Sequence, residues 1–460
     1  MTTPFNASSI ANAFAFVNLF FSSFRECDMR DLSRRDAFKL AISSGVAMAM
    51  SGAMASVVRA AETASDQKKV RIGFIGVGSR GTGLLNVTLQ FPNVEVPAVC
   101  DIDPAALKGA QDKVEKARGK RPEGYSKDAH DYRRLLARDD LDAVLIASPQ
   151  ELHAEMVIDS FNAKKFVGSE VPACITLDEC WKLVKAHEET KTGYMMLENY
   201  LYSQPVMMVQ QMVEAGLFGE LTYGYGTYIH EIRNMRFKKD GSLTWRGENI
   251  LHNRGIIYPT HAIGPVCRWM GINKTDSLST LVAMDSKAIS TKHYAAEKFG
   301  PDSDAAKVDF ENGDTNQCLV RTKNGRLIEV RYDTSSPRPP GMGEYSLQGS
   351  KGCYLACYGE RKVYIEGQSK GEKWQELDEY KDKYNHPYWA KSGEQAGKTS
   401  HGGGDYFVIS DFIQSIITGK SAVDIYDAVT WSCIRPLSEE SIRGGSKPMQ
   451  IPNFREKAST

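Results

Sequence analysis

Hydrophobic positions fall into two textures along the chain. Residues 70–77 (Val-Arg-Ile-Gly-Phe-Ile-Gly-Val) form a nearly continuous apolar run and predict a buried strand, followed by a helical stretch over 82–90. The alternation continues with strands at 94–100, 143–147 and 166–169, and helices at 107–118, 131–137, 151–163 and 177–191. Short apolar strands alternating with helical periods predict an α/β domain built on a doubly wound parallel sheet. After about residue 200 the period changes to two. Segments 221–229, 279–284, 316–321, 326–332, 344–348 and 362–366 alternate like half-buried strands, with breakers such as Pro337-Arg338-Pro339-Pro340-Gly341 between some of them. This predicts an α+β domain with a mostly antiparallel open sheet. Late helices at 405–417 and 426–441 are expected to return to the first domain. The expected boundaries are 68–195 and 196–450.

Ahead of these domains lie two apolar segments, 11–24 and 41–58. The second follows Ser33-Arg34-Arg35-Asp36-Ala37-Phe38-Lys39 and ends near Val58-Arg59-Ala60. Paired arginines, a weakly apolar core and a small-residue site resemble a twin-arginine export signal. Its Gly and Ser content argues against a membrane anchor. Residues 1–60 are therefore expected to direct the chain to the periplasm or outside the cell, with no stable membrane insertion after cleavage. Met29 is an alternative start, which would make 1–28 an upstream extension. Twin-arginine export moves folded proteins, as a cofactor loaded in the cytosol would require.

The 57 basic and 57 acidic residues cancel. Residues 1–60 hold six of the former and four of the latter, which leaves 51 against 53 and a net charge of −2. No basic nucleic-acid surface is expected from that balance. At 42% hydrophobic and 10% aromatic, the chain can bury a large core. Nine cysteines include no CxxC pair, so no metal site is expected.

Candidate chemistry begins where the first strand ends. Gly76-Val77-Gly78-Ser79-Arg80-Gly81 lies between a strand and a helix, as a dinucleotide fingerprint requires. Gly76 would make the tight turn, Gly78 would admit a pyrophosphate, and Gly81 would allow helix–strand packing. Ser79 and Arg80 open the helix, whose N-terminus attracts phosphate. Asp101, at the end of the second strand, can bind a ribose 2′-hydroxyl and would repel a 2′-phosphate. NAD is therefore favoured over NADP, with Arg80 partly offsetting the repulsion. Sites in such sheets lie beyond the carboxyl ends of strands. That rule selects residues 148–153, 170–172 and 198–200, and makes Gln150, His153, Glu170, Val171 and Asn199 candidates for the cofactor groove. A helix-capping role competes for His153.

With these motifs in place, residues 68–450 resemble the Gfo/Idh/MocA family of NAD(P)-dependent oxidoreductases, which implies a Rossmann domain followed by the α+β domain. Two departures stand out. Dehydrogenases of that family carry Glu-Lys-Pro, where this chain has Glu170-Val171-Pro172. They also carry Asp-x-x-x-His, where Ile257 stands four residues before His261. Valine cannot donate a proton, and isoleucine cannot orient a histidine. Tyr258-Pro259-Thr260-His261, Met196-Leu197-Glu198-Asn199, Tyr228-x-His230-Glu231-x-Arg233, Trp245-Arg246 and His401-Gly402-Gly403-x-Asp405-Tyr406 are together similar to glycoside hydrolase family 109.

This resemblance implies an α-N-acetylgalactosaminidase with tightly bound NAD and a carbohydrate substrate, and suggests a homodimer. It implies oxidation at C3 of the sugar, elimination across C1–C2, water addition and re-reduction. His261 and Tyr258, on one short loop, are the expected catalytic pair. Histidine exchanges protons near neutrality, whereas tyrosine needs a depressed pKa to act as a base, which a nearby cationic nicotinamide could provide. Tyr228, His230 and Arg246 are expected to join them at the sugar. A packed histidine and a half-buried polar strand face are the competing readings. The family's tyrosine after Pro-Arg-Pro is displaced here to Tyr345, which bears on sugar specificity. A sugar or inositol dehydrogenase is the alternative function, and a non-catalytic sugar sensor is a third.

Overall fold

The computed structural model describes residues 68–456, positions 340 and 342 excepted. The export signal at 1–60 and the alternative start at Met29 lie outside the described residues. Residues 68–460 cluster as a single unit that holds both sheets.

The first sheet contains β1 (Val70–Ile75), β2 (Val94–Cys100), β3 (Glu123–Tyr125), β4 (Ala143–Ile146), β5 (Phe166–Ser169) and β6 (Tyr194–Met196). Its order is β3-β2-β1-β4-β5-β6, with every pair parallel. This is the doubly wound order in which the succession of strands reverses between β1 and β4, the place where such folds open a crevice. Helix Ser79–Thr88 follows β1. Helix Leu177–Thr190 is started by a capping box, Thr176 with Glu179, which satisfies two otherwise orphaned donors.

The second sheet contains β7 (Leu221–Ile229), β8 (Leu278–Asp285), β9 (Asn316–Thr322), β10 (Leu327–Asp333), β11 (Tyr345–Gly349), β12 (Gly352–Cys357), β13 (Glu360–Ile365), β14 (Gln375–Glu376) and β15 (Met449–Gln450). They run in the order β14-β13-β12-β11-β7-β10-β9-β8-β15. All pairs are antiparallel except β7 with β10. Helix Thr260–Trp269 lies on β7. A Cβ at Gly226 would come within 2.0 Å of the Ala262 carbonyl, so only glycine lets strand and helix approach this closely. That approach sets the position of His261. The opposite face leaves Leu319, Met284 and Leu355 exposed.

The structure adds the strands β3, β6, β12, β14 and β15 to those read from the sequence and divides one expected helix. β12 is not anticipated, because its inward positions are Gly352, Tyr354 and Ala356, two of them too small to register as an apolar alternation. The helix expected over 426–441 is two helices, Ile425–Ser432 and Ile434–Arg443. Pro436 lies in the first turn of the second, where its missing N–H costs nothing, and it cannot sit inside one continuous helix without a clash. Helix Gly404–Thr418 packs on helix Ser79–Thr88, with Phe91 and Tyr406 stacked at 5.1 Å and Phe412 filling the space over Gly168.

Candidate active site

The glycine turn has the three shapes a dinucleotide needs. Gly76 has φ +83°, and a Cβ there would lie 2.7 Å from the Ala147 backbone. A Cβ at Gly81 would meet the Gly76 carbonyl at 1.9 Å, whereas nothing lies within 4 Å of one at Gly78. The open position is the one a pyrophosphate would approach. Asp101 accepts the Val77 N–H at 2.8 Å and the Asp103 N–H at 2.9 Å. Each carboxylate oxygen keeps a second lone pair for a ribose hydroxyl. Asn199, 3% exposed, has a buried Oδ1 with no partner among the described residues. These residues fit NAD.

Arg80 does not point toward a 2′-phosphate. Its Nε donates to Glu170 at 2.6 Å, and its two Nη atoms donate to Asp405 at 2.8 and 2.9 Å. The expected offset to Asp101 is therefore corrected: the guanidinium is committed to two carboxylates elsewhere. Asp405 is fully buried, which opposes ionisation. His401 and Arg80 outweigh burial and hold its carboxyl well below the ordinary carboxylate range.

Gln150, His153 and Val171 line the strand ends as supports. The Gln150 Oε1 accepts from Asn249 at 3.2 Å and from Arg435 at 3.0 Å. Arg435, 4% exposed, also donates to Asn249 at 2.7 Å. His153 is buried, with Nδ1 at 2.8 Å from the Pro172 carbonyl and Nε2 at 3.0 Å from that of Ser148. It therefore has no free ring nitrogen for a cofactor. The capping competitor is also excluded, because His153 is the first helical residue and not the N-cap. Val171 is 2% exposed, in the apolar core.

On the sugar-facing side, His261 is not on a loop with Tyr258. It sits in the first turn of helix Thr260–Trp269, with Tyr258 just ahead. Its Nδ1 lies 2.6 Å from Glu198 Oε1. A carboxylate only accepts, so Nδ1 donates, and in the neutral imidazole this tautomer leaves the Nε2 lone pair available. The orienting acid that Ile257 cannot supply therefore comes from the end of β6. Glu198 is fully buried; its Oε1 also accepts the Tyr200 N–H at 3.0 Å, and its Oε2 has no partner among the described residues. Tyr200 stacks on the imidazole at 4.1 Å. The Tyr345 hydroxyl donates to the His261 carbonyl at 2.6 Å. Tyr345 thus braces the His261 backbone from within the core.

Tyr228, Tyr258 and His261 form one aromatic cluster. Tyr228 and Tyr258 stack at 5.1 Å, and their rings lie 5.1 and 5.0 Å from that of His261. His230 lies 5.9 Å from Tyr228, and its buried Nδ1 has no partner among the described residues. Burial pushes the Tyr258 hydroxyl well above its ordinary value, helped by the charges of Glu170 and Tyr228. This is the reverse of the depression a tyrosine base needs. Burial also lowers the pKa of His230, and Arg246 adds to that effect. Trp245, Arg246, Tyr228 and Tyr258 line one cavity. Arg246 rests 4.4 Å over the Trp245 ring and makes no side-chain hydrogen bond or ion pair among the described residues.

Sequence reading thus reached Tyr228, His230, Arg246, Tyr258 and His261, which the structure brings together. It missed the roles of Glu198, Tyr200 and Arg435. The strand-end rule had selected 198–200, and that was the signal for the first two.

The strand order, the open glycine turn and Asp101 define the class: an enzyme built on an NAD-binding oxidoreductase fold. Residues 70–197 match the family model described as oxidoreductase family, NAD-binding Rossmann fold. Residues 202–459 match glycosyl hydrolase 109, C-terminal domain. A glycosyl hydrolase family 109 protein of Stenotrophomonas maltophilia (strain K279a) is 38% identical over 408 residues, covering 84% of this chain and 89% of that protein. One from Solibacter usitatus (strain Ellin6076) is 37% identical over 431 residues, covering 93% and 98%. Among solved structures, a levoglucosan dehydrogenase in complex with NADH shares the fold, with a TM-score of 0.66 at 19% identity over 84% of this chain and 100% of that one. The chain belongs to glycosyl hydrolase family 109 and is an NAD-dependent glycoside hydrolase.

Proposed function

We propose that the protein removes a terminal α-linked N-acetylgalactosamine or a related sugar by transient oxidation at C3, elimination across C1–C2, water addition and re-reduction. The observation that carries this reading is the Glu198–His261 pair set among Tyr228 and Tyr258. Most glycosidases need two available carboxylates around the scissile bond. Here Glu170 is bound to Arg80 and Glu198 to His261, which favours a route that does not use an acid pair.

NAD, when bound, supplies the reversible two-electron oxidation at C3. The chain's own residues then manage protons and position. A ketone at C3 acidifies the C2 proton. His261, oriented by Glu198, takes that proton at Nε2, and the imidazolium is stabilised by the buried carboxylate. Tyr258 donates its hydroxyl proton to the departing glycosidic oxygen and recovers one from the water that adds at C1, while His261 returns its proton to C2. Arg246, with its donors uncommitted, binds a hydroxyl or acetamido carbonyl of the sugar, beside Tyr228 and His230.

Export before residue 61 through the twin-arginine-like segment is part of this proposal, and N-terminal sequencing of the native protein tests it. The catalytic reading is tested with nitrophenyl glycosides. Turnover without net NADH formation is expected. Stoichiometric NADH with no nitrophenol release would replace this reading with a sugar dehydrogenase.

A further inference from the structure

Four residues from three segments converge on one buried carboxylate. Asp405 Oδ1 accepts from Arg80 Nη2 at 2.9 Å and from Asn199 Nδ2 at 2.8 Å. Its Oδ2 accepts from Arg80 Nη1 at 2.8 Å, from the Ser400 hydroxyl, and from His401 Nδ1 at 2.9 Å. Arg80 is the second residue of the helix that leaves the glycine turn. Asn199 follows β6, and Glu170, which holds the Arg80 Nε, follows β5. The strand ends around the crevice are therefore tied to one another through Arg80, and to helix Gly404–Thr418 through Asp405.

The backbone is built for this approach. Gly402 and Gly403 take φ +58° and +93° just before Asp405, and a Cβ at Gly404 would lie 2.6 Å from the Asn199 carbonyl. Behind the contact, Phe407, Val408 and Phe412 anchor the helix in the core. Asp405 is thus a fixed post.

We propose that Asp405 is a positioning residue that makes the bound dinucleotide non-exchanging. It locks Arg80 at the glycine turn and Asn199 at the end of β6, so the crevice between them cannot widen unless a bidentate ion pair to a fully buried carboxylate breaks first. Such pairs act mainly on dissociation, because separating them strands a charge away from water. An enzyme whose reaction returns the cofactor to its starting state on every turnover has no use for exchange. A device that blocks exchange fits that economy and would hinder an ordinary dehydrogenase. The inference rests on NAD as the cofactor and goes beyond the sugar chemistry.

The test uses the full chain purified with its NAD and no sugar present. Labelled NAD is chased with excess unlabelled NAD, well below the melting temperature. Asp405→Asn keeps the shape and removes the charge, and Arg80→Lys keeps the charge and removes the fork. Each is expected to release NAD about tenfold faster than the parent or more. If Asp405→Asn does not fold, Arg80→Lys decides alone. Release from a folded variant at the parent's rate, or rapid exchange in the parent itself, overturns the proposal. A purely packing role would lower the melting temperature of the NAD-saturated variants and leave release unchanged. Because no glycoside enters the experiment, failure of the glycosidase reading leaves this result standing, and the reverse holds too.

Discussion

Arg80 and Arg246 are each the second residue of a helix, yet they live in opposite surroundings. Arg80 is held by Glu170 and Asp405 through three hydrogen bonds. Arg246 rests on an indole and has no hydrogen-bond or ion-pair partner for its guanidinium among the described residues. Among the candidates for the cofactor groove, Gln150 and His153 are hydrogen-bonded within the protein, while Asn199 Oδ1 has no partner among the described residues. Near His261 and Tyr228, Glu198 Oε2 and His230 Nδ1 are likewise buried without partners among the described residues. Unsatisfied buried polar atoms are costly unless something satisfies them later. The lesson is that the committed arginine builds the cofactor crevice, while the uncommitted one waits for a ligand.

The comparison is sharpened most by His261→Ala. Loss of a general base should lower kcat by about 10²–10⁴-fold, while NAD measured after denaturation stays at parent levels. Loss of NAD together with activity would break the division between the two sides. Glu198→Gln comes next. It keeps the shape of the side chain but removes the acceptor charge that fixes the imidazole, and kcat should fall by about 10²-fold with NAD content again unchanged. An unaltered kcat would remove Glu198 from the account. Arg246→Gln should lower kcat/KM by about 10–100-fold, the range of a hydrogen bond to a charged group. Unchanged steady-state kinetics would show that its freedom has no use.

The smallest effect is expected at His386, the N-cap of helix Pro387–Ala396, which packs on helix Gly404–Thr418. Burial, followed by the nearby Arg268, lowers its pKa from 6.5 to about 4. Its unprotonated Nδ1 accepts the Tyr388 N–H at 3.2 Å. Between these values the unfolded chain binds the extra proton. The stabilisation is therefore intact above pH 6.5 and is lost as the pH falls toward about 4. His386→Asn retains a capping oxygen without this titration. Its melting temperature should fall less over that interval than the parent's, by about 2 °C. Parallel pH profiles would contradict the assignment.

The cofactor side was the more legible in the sequence, because its signal is local. A strand, a glycine turn, a helix and Asp101 follow one another without interruption, and each glycine has a steric reason to be there. Contacts across long separations were not legible. Arg80 meets Asp405 across 325 positions, and Glu198 meets His261 across 63. No period reports such pairs. Ile257 even misled, since the absence of an acid four residues before His261 looked like the loss of its orienting partner, when that partner comes from β6. Burial was equally invisible in the sequence: it raises the Tyr258 pKa, against the low value that a base requires. Tyr345, displaced from the family position, proved to be a brace for the His261 backbone. The second sheet was legible wherever strands alternate in bulk, and failed at β12, where glycine and alanine face inward.

The central claim is that glycosidic cleavage proceeds through proton removal at C2 by His261. It is tested most directly by running the reaction in deuterated water and locating deuterium in the released sugar. Deuterium at C2 of the product, with no net NADH, is the predicted result. Cleavage with C2 fully protonated would contradict the account.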